Sequence, residues 1–203
     1  MKSRPYKFLR NENMENDKAP NLSIAPHRSV EDYDKENGTE LGRFIDYLNR
    51  DKQLNEGESR YFHVGNAGEL LNKYGIIGNI SIGTPTFGKR HSQIGHNLSV
   101  TDWVNVIEGL NNPIAISRYK KGTDSYRVYT PVWIGGQLIC AGVDVRTSGK
   151  ETKVSNISTA FARDIKKIGM GAMEELLYPS SQEELKKVIE EYSAAHNSLL
   201  YPQ

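Results

Sequence analysis

Two stretches of the chain carry residue types able to do chemistry. The first is glycine-rich. GTPTFGKR, residues 83–90, fits G-x-x-x-x-G-K, the opening of a loop whose backbone N–H groups cradle phosphate. Arg90 stands where that loop needs Ser or Thr to hold magnesium. Gly95 and Asn97 also intervene before the next helix signal at Ser99, and no crossover to a parallel strand is evident. These departures argue against nucleoside triphosphate hydrolysis and leave a basic, glycine-rich loop suited to approaching a phosphate. Two of the five histidines, His91 and His96, lie beside Lys89 and Arg90. Imidazole gains or loses a proton near neutral pH, so it can serve as general acid or base. As a lone residue type, His96 reads first as a structural residue at a helix entry and second as a catalytic one. No Cys/His/Asp cluster has metal-ligand spacing, so no metal or other cofactor is expected.

The second stretch is VSNISTAFARD, residues 154–164. Strict alternation would put Ile157, Thr159 and Phe161 on one face and Asn156, Ser158 and Ala160 on the other. Its hydroxyls suit structural pairs and site donors equally. Between the two stretches, Arg118, Tyr119, Lys120, Lys121, Tyr126, Arg127, Tyr129 and Trp133 fall close together. Rings and guanidinium groups stack on single-stranded bases while cations meet phosphates. An ordinary exposed sheet face has the same composition, so this signal is unspecific.

The elements that must position these residues follow from periodicity. Leu41, Phe44, Ile45 and Leu48 give a helix over 39–54. A short helix fits 67–74, with Asn66 as cap and Gly75 as stop. Ser99 and Asp102 resemble a capping box, and Val100, Trp103, Val104 and Ile107 give the third helix its apolar face. The period then changes to two. Residues 114–119, 125–134, 137–146 and 154–162 read as strands of an antiparallel meander joined by short turns, with Pro131 at an edge or a bulge. Ser181 and Glu184 open a last helix over 181–198. The expected fold is α+β: N-terminal helices packed on a four-stranded antiparallel sheet, with a C-terminal helix. The expected organisation is a flexible arm (1–36), a helix and linker (37–62), a core (63–170) and a C-terminal helical extension (171–203).

Composition narrows the classes. The 203 residues carry 26 Lys or Arg against 25 Asp or Glu, which excludes a grossly basic nucleic-acid binder and leaves only a local site. The single cysteine, Cys140, excludes an internal disulfide. No apolar run approaches the roughly 20 residues that span a bilayer, and the N-terminus lacks an apolar signal core. A cytoplasmic protein, or one delivered into a target cell's cytoplasm, is expected, with no membrane partner.

Three ordered blocks carry a resemblance. HVGNAGELLNKYGI looks like a V-G-x-(T/A)-P-x-x-L-x-x-x-G-(I/V) entry with Gly68 in place of Pro. HNLSVTDWVNVIEGLNNPIAI looks like a block opening H-x-L-S, with His96, Leu98, Ser99 and Pro113 matching. VSNISTAFARD fills the place of an N-x-I-x-S-x-Y strand, with Ser155, Thr159 and Phe161 where Asn, Ser and Tyr stand. Over roughly 63–168 the chain thus resembles the phage and mobile-element domain at the C-terminus of MuF-type and large polyvalent proteins. That domain is grouped with the barnase, EndoU, colicin and RelE-like ribonucleases. The resemblance implies a metal-independent endoribonuclease acting as a toxin or effector, with RNA as substrate and an immunity or inhibitor protein as partner. It implies catalytic roles for His96, Thr159 and Lys89, and substrate contacts from Arg90, His91, Arg118 and Arg127. The altered Phe161 also fits an alternative, an inactive nucleic-acid- or protein-binding module of the same fold.

Overall fold

The computed structural model describes residues 9–11, 22–24, 40–50, 53, 60–84, 86, 98–120, 122–134, 136–148, 152–171 and 173–200. The four period-two segments form strands β5 (Ala115–Arg118), β6 (Ser125–Ile134), β7 (Gln137–Ser148) and β8 (Thr152–Arg163), each antiparallel to the next. Pro131 sits where the β6–β7 register shifts, between Tyr129 and Trp133, so its missing N–H costs no ladder bond.

The sheet is larger than the four-stranded antiparallel one expected. Strands β3 (Tyr61–Asn66) and β4 (Asn79–Gly83) join beyond β8, and β9 (Glu175–Tyr178) joins beyond β5. The order is β3-β4-β8-β7-β6-β5-β9. The pairing of β4 with β8 is parallel, from Asn79 opposite Val154 to Ile82 opposite Ile157, so the sheet is mixed. The reason is visible in β4: Ile80 and Ile82 are buried between the more open Asn79 and Ser81, a half-buried strand hidden among glycines. The order of helices before strands is likewise corrected to an interleaved one, and the sheet reaches past both ends of the 63–170 core. In the arm, β1 (Leu9–Asn11) pairs antiparallel with β2 (Leu22–Ile24).

Helices α1 (Glu40–Asn49), α2 (Glu69–Lys73) and α3 (Val100–Gly109) cover one face of the sheet. Phe44, Tyr47, Leu71, Trp103 and Val106 pack there on Phe62, Ile80, Ile82, Val128, Ile139, Val143 and Ile157. Asn66 does not cap α2. Gly68 is its N-cap, and Asn111 bridges the turn, accepting from the Gly68 N–H at 2.8 Å and donating to the Asn66 carbonyl at 3.2 Å. Gly75 ends the helix at φ +93°. The Ser99–Asp102 capping box of α3 is complete.

The opposite face is covered over its β5–β7 half. Helix α4 (Gln182–Leu200) lays Leu185 and Tyr192 there, with Ile168, on Ala115, Tyr129, Leu138 and Cys140. Ser181 accepts from the Glu184 N–H, but the Glu184 carboxylate returns to Ser180 rather than to Ser181.

Candidate functional site

The expected alternation in β8 breaks at one residue. Gly142 of β7 lies opposite Thr159 and Val143 lies opposite Ile157, so Ser158 is an extra residue in β8. Ile157 and Ala160 consequently both face the α1–α3 side, whereas Phe161 packs with the α4 cluster. The reading that put Ile157, Thr159 and Phe161 on one face is corrected by this bulge. Its effect is to bring the Ser158 hydroxyl and the Thr159 methyl together against Gly142. Ser158 Oγ donates to the Gly142 carbonyl at 3.3 Å. A Cβ on Gly142 would stand 2.7 Å from Thr159 Cγ2 and 3.4 Å from Ser158 Oγ, so only hydrogen fits beneath them. Thr159 Oγ1 is buried and has no hydrogen-bond partner among the described residues.

The pairing registers align further polar residues on this face. Thr159, Gly142, Arg127 and Ser117 are in line across β8, β7, β6 and β5. Two positions along, Asn156, Asp144 and Ser125 form a parallel row, continued by Ser81 of β4 and His63 of β3. Five strands at about 4.8 Å make this row about 19 Å wide. Ser125 Oγ donates to Asp144 at 2.7 Å, and Asn156 Oδ1 is buried without a partner among the described residues.

A buried ionic cluster bounds the rows on the α4 side. The Glu174 side chain is 1% exposed and accepts from Arg127 at 2.7 Å, Tyr129 at 2.7 Å, Ser117 at 2.5 Å and Arg163 at 3.1 Å. Burial acts to raise its carboxyl pKa. The hydrogen bonds from Ser117 and Tyr129 and the charges of Arg127 and Arg163 outweigh that and hold it below the usual carboxylate range. Burial, above all, pushes the neighbouring Cys140 thiol up to about 12. The two sheet arginines singled out from sequence, Arg118 and Arg127, are not brought together. Arg127 reaches Glu174, while Arg118 lies over the Tyr126 ring and pairs with Glu175 at 3.1 Å on the side of α1–α3.

Thr86 connects the bulge to the glycine-rich stretch. Its Oγ1 donates to the Ile157 carbonyl at 3.0 Å in a buried setting, so the connection from β4 to α3 departs beside Ser158. The connection returns at Leu98, which packs on the first core, and at the Ser99 cap. Lys89, Arg90, His91 and His96 lie within this connection and outside the described residues. The parallel β4–β8 pair supplies the crossover that the phosphate-loop reading lacked, but by way of the whole meander and without the Ser or Thr at position 90. Among the described residues, no three His, Cys, Asp or Glu side chains gather to hold a metal ion, and no helix is long and apolar enough to cross a membrane.

Residues 88–185 match the family model of the phage MuF C-terminal domain. No curated protein and no solved structure matches the chain. The matched segment begins after β4 and ends within α4. It contains His96, the Ser158–Thr159 bulge, Gly142, Arg127 and Glu174, whereas α1, β3 and β4 lie outside it. Of the residues in these rows and the cluster beside them, the sequence reading singled out Thr159 and Arg127 as candidates and did not single out Gly142, Asp144, Asn156 or Glu174. The available signal was Gly142 itself, since a glycine inside a strand often marks a bulge or a close approach.

Proposed function

We propose that this chain carries a metal-independent endoribonuclease domain of the barnase–EndoU–colicin–RelE-like kind, acting as a toxin or effector against RNA. The observation that carries the reading is the Ser158–Thr159 bulge, two hydroxyl-bearing residues packed on a bare Gly142 beside Thr86, where the His96-bearing connection begins. In the proposed step His96 takes the proton of a ribose 2′-hydroxyl, and the oxygen attacks the adjacent phosphorus. The P–O5′ bond breaks, leaving a 2′,3′-cyclic phosphate, and the departing 5′-oxygen takes a proton from water to become a hydroxyl. Lys89 and Arg90 balance the charge that develops on phosphate, with His91 as a further contact, and the Thr159 hydroxyl donates to a non-bridging oxygen. Arg127 acts from within its pair with Glu174, and Arg118 contacts the strand from the other face. The domain acts in a cytoplasm, its own or a target cell's, and is held in check by an immunity or inhibitor protein.

A second reading is a binding module without activity. It is favoured by Phe161, which packs against the α4 cluster where the resembled strand carries a tyrosine hydroxyl. One experiment separates the two: cleavage of single-stranded RNA in excess EDTA, with growth of expressing cells as companion readout. His96→Ala is expected to lower the rate by about 10²–10⁴-fold at unchanged melting temperature, and Thr159→Val by about tenfold. Cleavage that vanishes in EDTA, or a His96→Ala protein that cuts like the parent, refutes the mechanism. A parent with neither cleavage nor toxicity establishes the binding module.

A further inference from the structure

We propose that Tyr119 is a stacking platform for the nucleobase next to the cleaved phosphate, an inference that rests on the nuclease reading above. Tyr119 directly follows β5, and its N–H donates to the Ser125 carbonyl at 2.9 Å, which ties its backbone to the start of β6. Its ring lies over the Arg127 guanidinium, 4.4 Å from ring centroid to guanidinium carbon. Arg127 is itself held by the buried Glu174. The three side chains form a stack that runs from a buried carboxylate to an open ring. Tyr119 remains 50% exposed, although its ring is fixed from below.

Fixing a ring in advance removes part of the ordering cost that binding otherwise carries. An aromatic face held in this way takes any base, because every base has a π-face. The charge around it suits a polyanion. Arg127 and Arg163 share one Glu174, leaving one net positive charge, and the exposed Lys120 is the next residue. The turn that presents Lys120 is closed by its own carbonyl, which accepts from the Thr123 N–H at 3.1 Å and from Thr123 Oγ1 at 2.7 Å. Arg127 stands two strands from Thr159, about 10 Å, a span that the adjacent nucleotide covers.

The test measures binding of a 2′-fluoro-substituted single-stranded oligonucleotide, which has no 2′-hydroxyl to attack, by fluorescence anisotropy on the full chain. Tyr119→Ala is expected to weaken binding about 5- to 150-fold, the equivalent of about 1–3 kcal/mol per stacked base. Its dependence on salt should match the parent's, because no charge is lost. Tyr119→Trp keeps the affinity. Tyr119→Leu still covers Arg127 but cannot stack, so it binds as weakly as Tyr119→Ala. An oligonucleotide with an abasic position at the stacked nucleotide binds the parent more weakly and Tyr119→Ala no differently. Leu or Ala variants that bind like the parent overturn the platform, even where the parent cleaves RNA and His96→Ala does not. A parent that fails to bind the strand at low salt also overturns it.

Discussion

Removing the Glu174 carboxylate tests whether the ionic cluster holds the α4 side of the sheet to the rows of polar residues. In Glu174→Ala, Arg127 and Arg163, with side chains only 16% and 19% exposed, keep their charges and lose their shared partner. Tyr129 and Ser117 lose their acceptor at the same moment. Breaking a buried pair from one side costs about 3–5 kcal/mol. At about 2–4 °C per kcal/mol for a chain of this size, the melting temperature falls by about 6–20 °C. Glu174→Gln keeps the shape and one acceptor oxygen but not the charge, so its loss is smaller, about 2–3 kcal/mol. The pH dependence supplies an independent sign. A carboxyl held below its ordinary range contributes its full stability above the unfolded-chain value of about 4.3, and that contribution is lost as pH falls through the lowered native value. Urea unfolding of parent and Glu174→Gln should therefore differ most at pH 7 and converge on acidification below about 4. A gap under about 1 kcal/mol at pH 7, or one that does not move with pH, refutes the claim that this carboxylate anchors the cluster.

Gly142→Ala should destabilise by about 1–3 kcal/mol, because the new Cβ meets Thr159 Cγ2 at 2.7 Å. The double variant with Thr159→Ser, which removes that methyl, should recover most of the loss in a thermal melt, and additive losses would refute the contact. Cys140 is buried and its thiol is pushed up to about 12, so iodoacetamide should label the chain only in denaturant. Labelling of the native protein at pH 8 contradicts that burial.

The elements legible in the sequence are those whose cause is local. The α3 capping box needs only Ser99 and Asp102, three residues apart. The meander needs only period-two runs and short turns, and Pro131 announces its own bulge. What escaped is non-local. Strand β4 is five residues long and finds its parallel partner in β8, where Asn79 meets Val154, so no turn between them signals the pairing. Strand β3 does alternate, with Phe62 and Val64 inward and Tyr61 and His63 outward, but that run is too short to stand out. Strand β9 does not alternate in burial at all, and it pairs through a register shift between Ile116 and Ser117.

The same division runs through the site. Histidine, lysine and arginine in the glycine-rich stretch declare themselves by type, because few other residues move protons or meet phosphate. The polar rows of the sheet declare themselves only through pairing. A single extra residue in β8, Ser158, converts an alternating strand into one that sets the Ser158 hydroxyl and the Thr159 methyl together on Gly142. Without the register, Thr159 is one hydroxyl among several, and Glu174 is one more acidic residue near a helix. With it, Glu174 explains why Arg127 and Arg163 can lie buried beside those hydroxyls. One carboxylate holds both cations from below and leaves one net positive charge on the cluster. A cluster held by its own carboxylate is organised before any ligand arrives, and that is the condition under which fixed cations and dipoles stabilise new charge without rearranging.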